Sequence, residues 1–292
     1  MARLSKAGVM NKHQPEDFLS LRAASAMASR EIKLGFRSAW AYSFMALFVL
    51  LSLALLLIQQ QSSGGYTGTT GAVMNLILYL LPLMALLLGS FSIAAEREEG
   101  GWQLLSTYPI STCGYVTGKF AGTLAVLLII VAAGFGLSGL VSFLVTQTYT
   151  FSTYILFLTF SACLIVSFLS LSLLIGALSS NRWQALTLSV AVWFLLVLGW
   201  PTLIIAVLGM LPYLWIKPVL MTLVFLNPAE LSRLFLVIKL GGGAVLGPEY
   251  YKWVGLMAQP EGTLIFLSVS TVWMVLLLGL SAWIMQRRRT HV

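Results

Sequence analysis

Long stretches without a single charged residue dominate the pattern of this chain. Four of them are long enough to matter for a membrane, at residues 38–95, 120–181, 183–216 and 262–286. A helix needs roughly 20 apolar residues, at about 1.5 Å rise each, to cross the hydrocarbon core of a bilayer. The first two stretches, of 58 and 62 residues, are therefore predicted to form two spans each, and the last, of 25 residues, one span.

Polar and turn-forming residues locate the breaks inside these stretches. The first stretch is interrupted by the uncharged segment 59–71 and the second by residues 146–153. The 34-residue stretch is too long for one span and too short for two, and glycines and prolines interrupt its second half, so one span with a broken continuation is predicted there. The pattern thus predicts an all-α integral membrane protein with six spans, at about 39–58, 73–95, 119–145, 154–178, 184–208 and 263–286.

The composition agrees with a membrane protein and excludes other classes. Charged residues make up 9% of the 292 and hydrophobic residues 59%, whereas a soluble domain uses roughly 25% charged residues to cover its surface. A soluble globular enzyme, a disordered chain and a nucleic-acid-binding domain are thereby excluded. The net charge of +8 comes mainly from the two ends, with +4 in residues 1–37 and +3 in residues 287–289.

The distribution of basic residues predicts the orientation, because Lys and Arg favour the cytoplasmic ends of membrane helices. The N-terminal segment, the 96–118 loop, the 179–184 loop and the C-terminus hold seven, one, one and three basic residues, and Lys119 brings the total on that side to 13 of 17. The two short loops on the opposite side hold none. Both termini are therefore predicted to be cytoplasmic.

The segment before the first span allows two interpretations. Residues 18–37 interleave basic and apolar side chains. They form either a solvated basic leader or an interfacial helix that lies on the inner leaflet.

No motif in the sequence points to catalysis. The Gly-Lys pair at 118–119 is followed by Phe120, so it does not complete a phosphate-binding loop. His13 and His291 lie near the chain ends, and no zinc-binding spacing is present. All nine acidic residues fall outside the predicted spans. We therefore expect no catalytic, cofactor-binding or metal site on this chain.

The segment between the second and third spans carries the most informative motif. An acidic cluster follows the span, Gly100 and Gly101 permit a break, and a short amphipathic helix from Trp102 to Thr107 is predicted to end before Pro109. A short helix joined to two spans is suited to transmit force from a docked soluble partner. The alternative is an ordinary solvated loop.

This segment resembles the coupling helix of ABC-2-type ABC transporter permeases, in which an acidic-Arg-Glu-x-Gly motif precedes a Leu-rich turn, a Pro and a Gly-Lys-Phe. The resemblance implies a type V exporter-like fold with short re-entrant outer helices, located in the inner membrane of a prokaryote. It also implies a second permease copy, in a homodimer or a pseudo-symmetric heterodimer, and a separate cytoplasmic ATPase that holds ATP and Mg. The residues that it assigns to ATPase coupling are Glu96, Arg97, Glu98, Glu99, Gly100, Trp102, Leu104, Leu105 and Pro109.

A second motif begins a helix after the fifth span. Asn227 is placed to cap it, Pro228 takes its first position and Glu230 its third, while residues 241–243 end it. The segment resembles the membrane subunits of the copper-maturation transporters of nitrous oxide reductase. That resemblance implies a periplasmic or secreted copper-handling partner, engaged through Asn227, Pro228, Glu230 and Arg233. The alternative is a capped surface helix with no further role.

Small residues recur along the third span. Gly118, Gly122, Gly134 and Ser138 permit close approach of another helix. Packing within one subunit and a seam between two subunits are both compatible with this pattern.

These observations divide the chain into a cytoplasmic leader with an interfacial helix (1–38), a transmembrane domain (39–286) and a basic tail (287–292). The domain contains the coupling loop 96–118 and the outer region 209–262.

We expect this chain to be the permease subunit of an ABC transporter, acting in copper-site maturation of nitrous oxide reductase. Two alternatives stay open: an ABC-2 exporter of a hydrophobic, lipid-like or peptide substrate, and a membrane scaffold or channel without an ATPase.

Overall fold

The structure is a computed structural model that describes residues 16–58, 68–101, 111–141, 144 and 151–289. Within these ranges the regular secondary structure is helical throughout. The predicted amphipathic helix at 102–107 lies outside the described residues, as do the segments 59–67 and 145–150 between helices.

Eleven α-helices are found in the described part of the chain. They are α1 (Glu16–Arg37), α2 (Ala39–Ile58), α3 (Gly68–Glu98), α4 (Thr112–Val141), α5 (Phe151–Leu178), α6 (Arg182–Trp193), α7 (Trp200–Gly209), α8 (Tyr213–Leu226), α9 (Pro228–Lys239), α10 (Tyr251–Ala258) and α11 (Pro260–Arg289). A π-helical turn, Phe194–Gly199, joins α6 to α7, and two 3-10 turns, Gly242–Leu246 and Pro248–Tyr250, connect α9 to α10.

Five helical segments are long and apolar enough to cross a membrane alone: α3, α4, α5, the continuous α6–α7 and α11. Two pairs of consecutive helices are each bent at a short break, α1 with α2 by 64° and α8 with α9 by 106°. If each bent pair counts as one span, the number of candidate spans rises to seven. The predicted span 39–58 coincides with α2, which is a candidate span only together with α1. The other five overlap α3, α4, α5, the continuous α6–α7 and α11, which begin two to seven residues before the predicted spans. Hydropathy marks only the apolar part of a helix, and α3 and α4 continue for several residues beyond it.

Helix α5 is the centre of the bundle, with α3, α4, α9 and α11 packed around it. Glycines let α3 approach α5 closely. A Cβ atom on Gly89 would lie 1.8 Å from Oγ of Ser172, and one on Gly176 would lie 2.9 Å from the carbonyl oxygen of Ser90. Helix α6 packs mainly on α3, whereas α1 and α2 pack along α4.

The span 182–209 does not break at Pro201, although a proline inside a helix removes one hydrogen bond and crowds the preceding turn. The π turn Phe194–Gly199 precedes Trp200-Pro201 and widens the backbone there, so that α7 continues to Gly209. The predicted broken continuation follows it as α8 and α9, which meet at Asn227.

Candidate functional site

Six polar side chains from three helices meet at the end of the bundle where α3 ends and α4 begins. We call this group the ionic cluster. Its members are Arg30 and Glu31 of α1, Ser92 and Glu96 of α3, and Tyr115 and Lys119 of α4.

Lys119 lies at the centre of the ionic cluster, with only 1% of its side chain exposed. Its ammonium nitrogen lies 2.7 Å from Oε1 of Glu31 and 3.2 Å from Oε1 of Glu96. It also donates to the hydroxyl of Ser92, at 2.6 Å, and to the carbonyl oxygen of the same residue, at 3.0 Å. The buried cation is therefore paired with carboxylates from two different helices.

The two carboxylates have further partners. Glu31 accepts a hydrogen bond from the Ser92 hydroxyl at 2.9 Å. Glu96 accepts from Nη1 of Arg30 at 2.5 Å and from the Tyr115 hydroxyl. Two cations thus balance two anions. A buried charge is tolerated only with such pairing and hydrogen bonding, since its desolvation is otherwise very costly.

The predicted small residues of the third span bring α1 and α2 against α4 of the same chain. A Cβ on Gly118 would lie 2.6 Å from the carbonyl oxygen of Ala24, and a Cβ on Gly122 would lie 2.6 Å from Cβ of Glu31. Further along α4, a Cβ on Gly134 would lie 2.4 Å from the Phe48 ring. The Ser138 hydroxyl bonds back to the carbonyl oxygen of Gly134 at 2.8 Å. In the described structure these positions serve packing inside one subunit.

The residues predicted to couple to an ATPase have different environments. Glu96 is 8% exposed and belongs to the ionic cluster. Arg97 donates to the carbonyl oxygens of Ala177 and Ser179 and so caps the end of α5.

The side chains of Glu98 and Glu99 are 44% and 66% exposed, and both pair with Arg182 at the start of α6.

Gly100 has a φ of 73°, a left-handed conformation that ends α3 and that glycine adopts without strain. Trp102, Leu104, Leu105 and Pro109 lie outside the described residues.

The ionic cluster was not predicted as a unit from the sequence. Glu31 is the one acidic residue between Asp17 and Glu96, and Lys119 is the one charged residue between Arg97 and Arg182 other than Glu98 and Glu99. Isolated charges of opposite sign, each beside a predicted span, were the available signal for a pair.

A second group of polar contacts holds the bend between α8 and α9, which we call the hairpin tip. Asn227 is fully buried, and its Oδ1 accepts from the backbone N–H of Ala229 at 2.9 Å. The predicted cap of this helix, with Pro228 at its first position, is confirmed. The amide nitrogen of Asn227 donates to the carbonyl oxygen of Leu196 in the π turn, at 2.6 Å.

Two tryptophans complete the hairpin tip. The indole N–H of Trp200 donates to the carbonyl oxygen of Leu223 at 3.1 Å, and that of Trp273 to the carbonyl oxygen of Phe225 at 3.1 Å. These carbonyls belong to the last turn of α8, where a helix leaves its oxygens without intrahelical partners. Side chains of the spans therefore satisfy the backbone groups that the bend exposes.

The remaining residues predicted to contact an outer partner are largely inside the protein. Pro228 and Glu230 are buried, and Glu230 pairs with Arg233 one turn further along α9 at 2.5 Å. The Arg233 side chain keeps 34% exposure. Among the described residues no group of three or more His, Cys, Asp or Glu is arranged to hold a metal ion.

Comparison with known proteins gives one family and two curated relatives. Residues 25–289 match the family model described as ABC-2 family transporter protein. A probable ABC transporter permease protein NosY of Stutzerimonas stutzeri is 29% identical over 233 residues, which cover 76% of this chain and 84% of that protein. A protein of the same name from Pseudomonas aeruginosa is 29% identical over 217 residues, covering 71% of this chain and 79% of the relative.

Proposed function

Because this chain belongs to the ABC-2 transporter family, we propose that it couples ATP hydrolysis on a separate cytoplasmic ATPase to work at or across the membrane. It is a multi-pass membrane protein and a permease subunit of an ABC transporter, a type of subunit that needs an ATPase partner. We propose that two copies of the chain pair with that ATPase.

The observation that carries the proposal is the position of the ionic cluster on both sides of the loop between α3 and α4. Glu96 lies two residues before the end of α3, and Lys119 lies two turns into α4. Their contacts, together with Glu31, join the two helices to α1. A force applied to the loop would therefore move α1, α3 and α4 together rather than bending one of them.

The exposure of the acidic residues tells which of them are available for docking. Glu96 is committed to contacts within the chain, whereas Glu98 and Glu99 reach the surface at the base of the loop. In our proposal these two carboxylates contact the ATPase, with Gly100 as the hinge and Trp102, Leu104, Leu105 and Pro109 as the docking segment. Arg97 would hold the base of the loop on α5.

The test is the double substitution Glu98→Lys with Glu99→Lys. We expect the ATPase to be lost from the complex purified in mild detergent, while membrane insertion is unchanged. The matched control is Arg182→Gln, which breaks the same two ion pairs but keeps both carboxylates. Co-purification of the ATPase with the double variant, or equal loss in the control, would contradict docking through these carboxylates.

We further propose six spans with both termini in the cytoplasm of a prokaryotic inner-membrane protein, and α8–α9 as a re-entrant outer hairpin. Leu196 lies about 20 Å along the helix axis from Arg182, which is within a bilayer core about 30 Å thick and about two thirds of the way across it. Non-helical backbone at that depth needs internal partners for its polar groups. The contacts of Asn227, Trp200 and Trp273 supply them, which supports the re-entrant arrangement.

For the biological task we propose copper-site maturation of nitrous oxide reductase. The support is the resemblance of the Asn227-Pro228 segment and the two relatives named NosY. In this proposal Arg233, the partly exposed member of the predicted outer set, reaches a copper-handling partner outside the membrane, and the copper ion is that partner's cargo.

The tagged chain purified from its native membrane distinguishes the alternatives. A stoichiometric ATPase with a secreted copper-binding protein is the expected result. An ATPase without the secreted protein would indicate an exporter of a hydrophobic, lipid-like or peptide substrate. A chain that purifies alone in several mild detergents would indicate a membrane scaffold or channel.

A further inference from the structure

Helix α1 carries a row of exposed cationic side chains, the first of which, Arg30, also reaches Glu96 of the ionic cluster. Arg30, Lys33 and Arg37 are exposed and lie three and four residues apart, so they share one face of the helix. The opposite face is held against α4 by Met27, Glu31 and Gly35.

The packing of α1 determines the depth at which this cationic face lies. A Cβ on Gly118 would meet Ala24, whereas a Cβ on Gly35 would lie 2.7 Å from Val126. Helix α1 thus runs alongside the first turns of α4, where the second charge-free stretch, 120–181, begins. It continues into α2 after a bend of 64°. The cationic face therefore lies at the level where a span enters the bilayer.

The described side chains around Lys33 and Arg37 are of the kinds that contact a lipid bilayer, and no exposed carboxylate of the kind that a protein partner would pair with lies among them. Leu34 and Tyr42 are 46% and 52% exposed beside the cationic residues, and apolar and aromatic side chains of this kind lie among lipid headgroups and upper acyl chains. The acidic residue of this part of α1, Glu31, is buried and paired with Lys119. No carboxylate among the described residues of α1 from Ala24 onward thus competes on the exposed face.

We propose that Lys33 and Arg37 form a binding site for the phosphate headgroups of anionic lipids in the leaflet that contacts α1. Arg30 is shared with Glu96, so we assign the lipid phosphate to the other two cations. The identity of the leaflet as the cytoplasmic one rests on the proposed orientation. Lipid held there would brace α1, and through the ionic cluster the ends of α3 and α4.

Native mass spectrometry of the purified full chain tests the proposal, with phosphatidylglycerol and phosphatidylcholine added as probes. We expect the wild-type chain to bind phosphatidylglycerol several-fold more strongly than phosphatidylcholine. The variant Lys33→Gln with Arg37→Gln should lose this preference, with weakening on the order of five-fold for each charge removed. Raising the salt concentration should reduce the wild-type preference, because ions screen exposed charges.

Two control variants test whether the preference for phosphatidylglycerol depends on the charges at positions 33 and 37. Lys217→Gln with Lys252→Gln removes the same number of exposed charges from the region between α7 and α11 and should keep the phosphatidylglycerol preference. The exchange Lys33→Arg with Arg37→Lys preserves both charges and should also keep it. Equal binding of the two lipids by the wild type, an unchanged preference in the Lys33/Arg37 variant or loss in both charge-removing variants would overturn the site.

The measurement uses the permease without an ATPase, so its outcome is independent of the coupling proposal. If the Lys33→Gln, Arg37→Gln variant binds both lipids as the wild type does but no longer co-purifies with the ATPase, the cationic face is a protein-docking surface and the lipid site is wrong.

Discussion

The ionic cluster and the hairpin tip both hold polar groups in apolar surroundings, but they do so with different chemistry. The ionic cluster uses two formal cations and two formal anions from three helices. The hairpin tip uses neutral donors, the amide of Asn227 and two indoles, on backbone carbonyls. Loss of one member of the first group leaves a charge unpaired, whereas loss of one from the second leaves a neutral dipole.

This difference suggests a division of labour between the two regions. Charge pairing fixes α1, α3 and α4 relative to one another beside the loop that we assign to ATPase docking. Neutral hydrogen bonds fix the bend in the backbone itself, and the nearby charge of Glu230 is paired with Arg233 of the same helix, since an unpaired charge inside a membrane is costly. The following three substitutions test the contrast, in order of expected effect.

The largest effect is expected from Lys119→Met. The substitution leaves Glu31 and Glu96 near each other with only Arg30 to balance them, and breaking a buried pair from one side costs roughly 3–5 kcal/mol. Unfolding of the purified chain in detergent should show this loss. The double variant Glu31→Gln with Lys119→Met restores neutrality and should be more stable than Lys119→Met alone. If the single and double variants are equally stable, charge balance is not what holds the ionic cluster.

A smaller loss is expected from Gly122→Ala. Its Cβ would lie 2.6 Å from Cβ of Glu31 and 2.7 Å from the carbonyl oxygen of Ala28, so α1 must shift at a cost of about 1–3 kcal/mol. The control on the same helix is Gly136→Ala, whose Cβ meets no atom within 4 Å. The control should be neutral or stabilising by up to about 1 kcal/mol because alanine favours helix. Equal stability of the two variants in thermal unfolding would mean that α1 does not need this close approach.

The smallest effect is expected at the hairpin tip. Asn227→Ala removes the cap of α9 and the hydrogen bond to Leu196, with a loss of roughly 1–2 kcal/mol. Asn227→Ser keeps an oxygen that can cap the helix but is too short to supply the amide donor, so about half of the loss should remain. Unfolding of the three chains side by side separates the cap from the contact to the π turn. A loss at Asn227 as large as that at Lys119 would remove the contrast between charged and neutral contacts.

The sequence predicted the helices well because the signal for each is contained in its own residues. Each of the six predicted spans falls on a helical segment, and five of these segments are long and apolar enough to cross a membrane alone. The Asn227-Pro228 pair located the start of α9. The predicted span 184–208 runs through Pro201, and the structure shows how the helix continues: a π turn, Phe194–Gly199, precedes the proline, and α7 extends to Gly209. Local propensity identifies proline as a residue that breaks helices. It carries no information on hydrogen-bond donors from a distant segment, such as the Asn227 amide that donates to the carbonyl oxygen of Leu196 in the π turn.

The roles of individual charged residues were harder to predict. Glu96, Glu98 and Glu99 look equivalent in the sequence, but the first is buried among Arg30, Tyr115 and Lys119 while the other two are exposed. Helical periodicity places positions 96 and 99 on neighbouring faces, yet which face meets another helix depends on a segment more than sixty residues earlier.

The sequence by itself determined that this chain is a helical membrane protein, where its apolar helices lie and which family its coupling segment resembles. The first two properties follow from the free energy of moving each stretch of side chains out of water, which is local and additive along the chain, and the resemblance follows from a motif within one segment. Only the tertiary structure decided that Glu31 pairs with Lys119, that the glycines of α4 seat α1, and that Asn227 bonds to the π turn. Each of these depends on two segments far apart in sequence reaching contact distance, and that is set by how the helices pack.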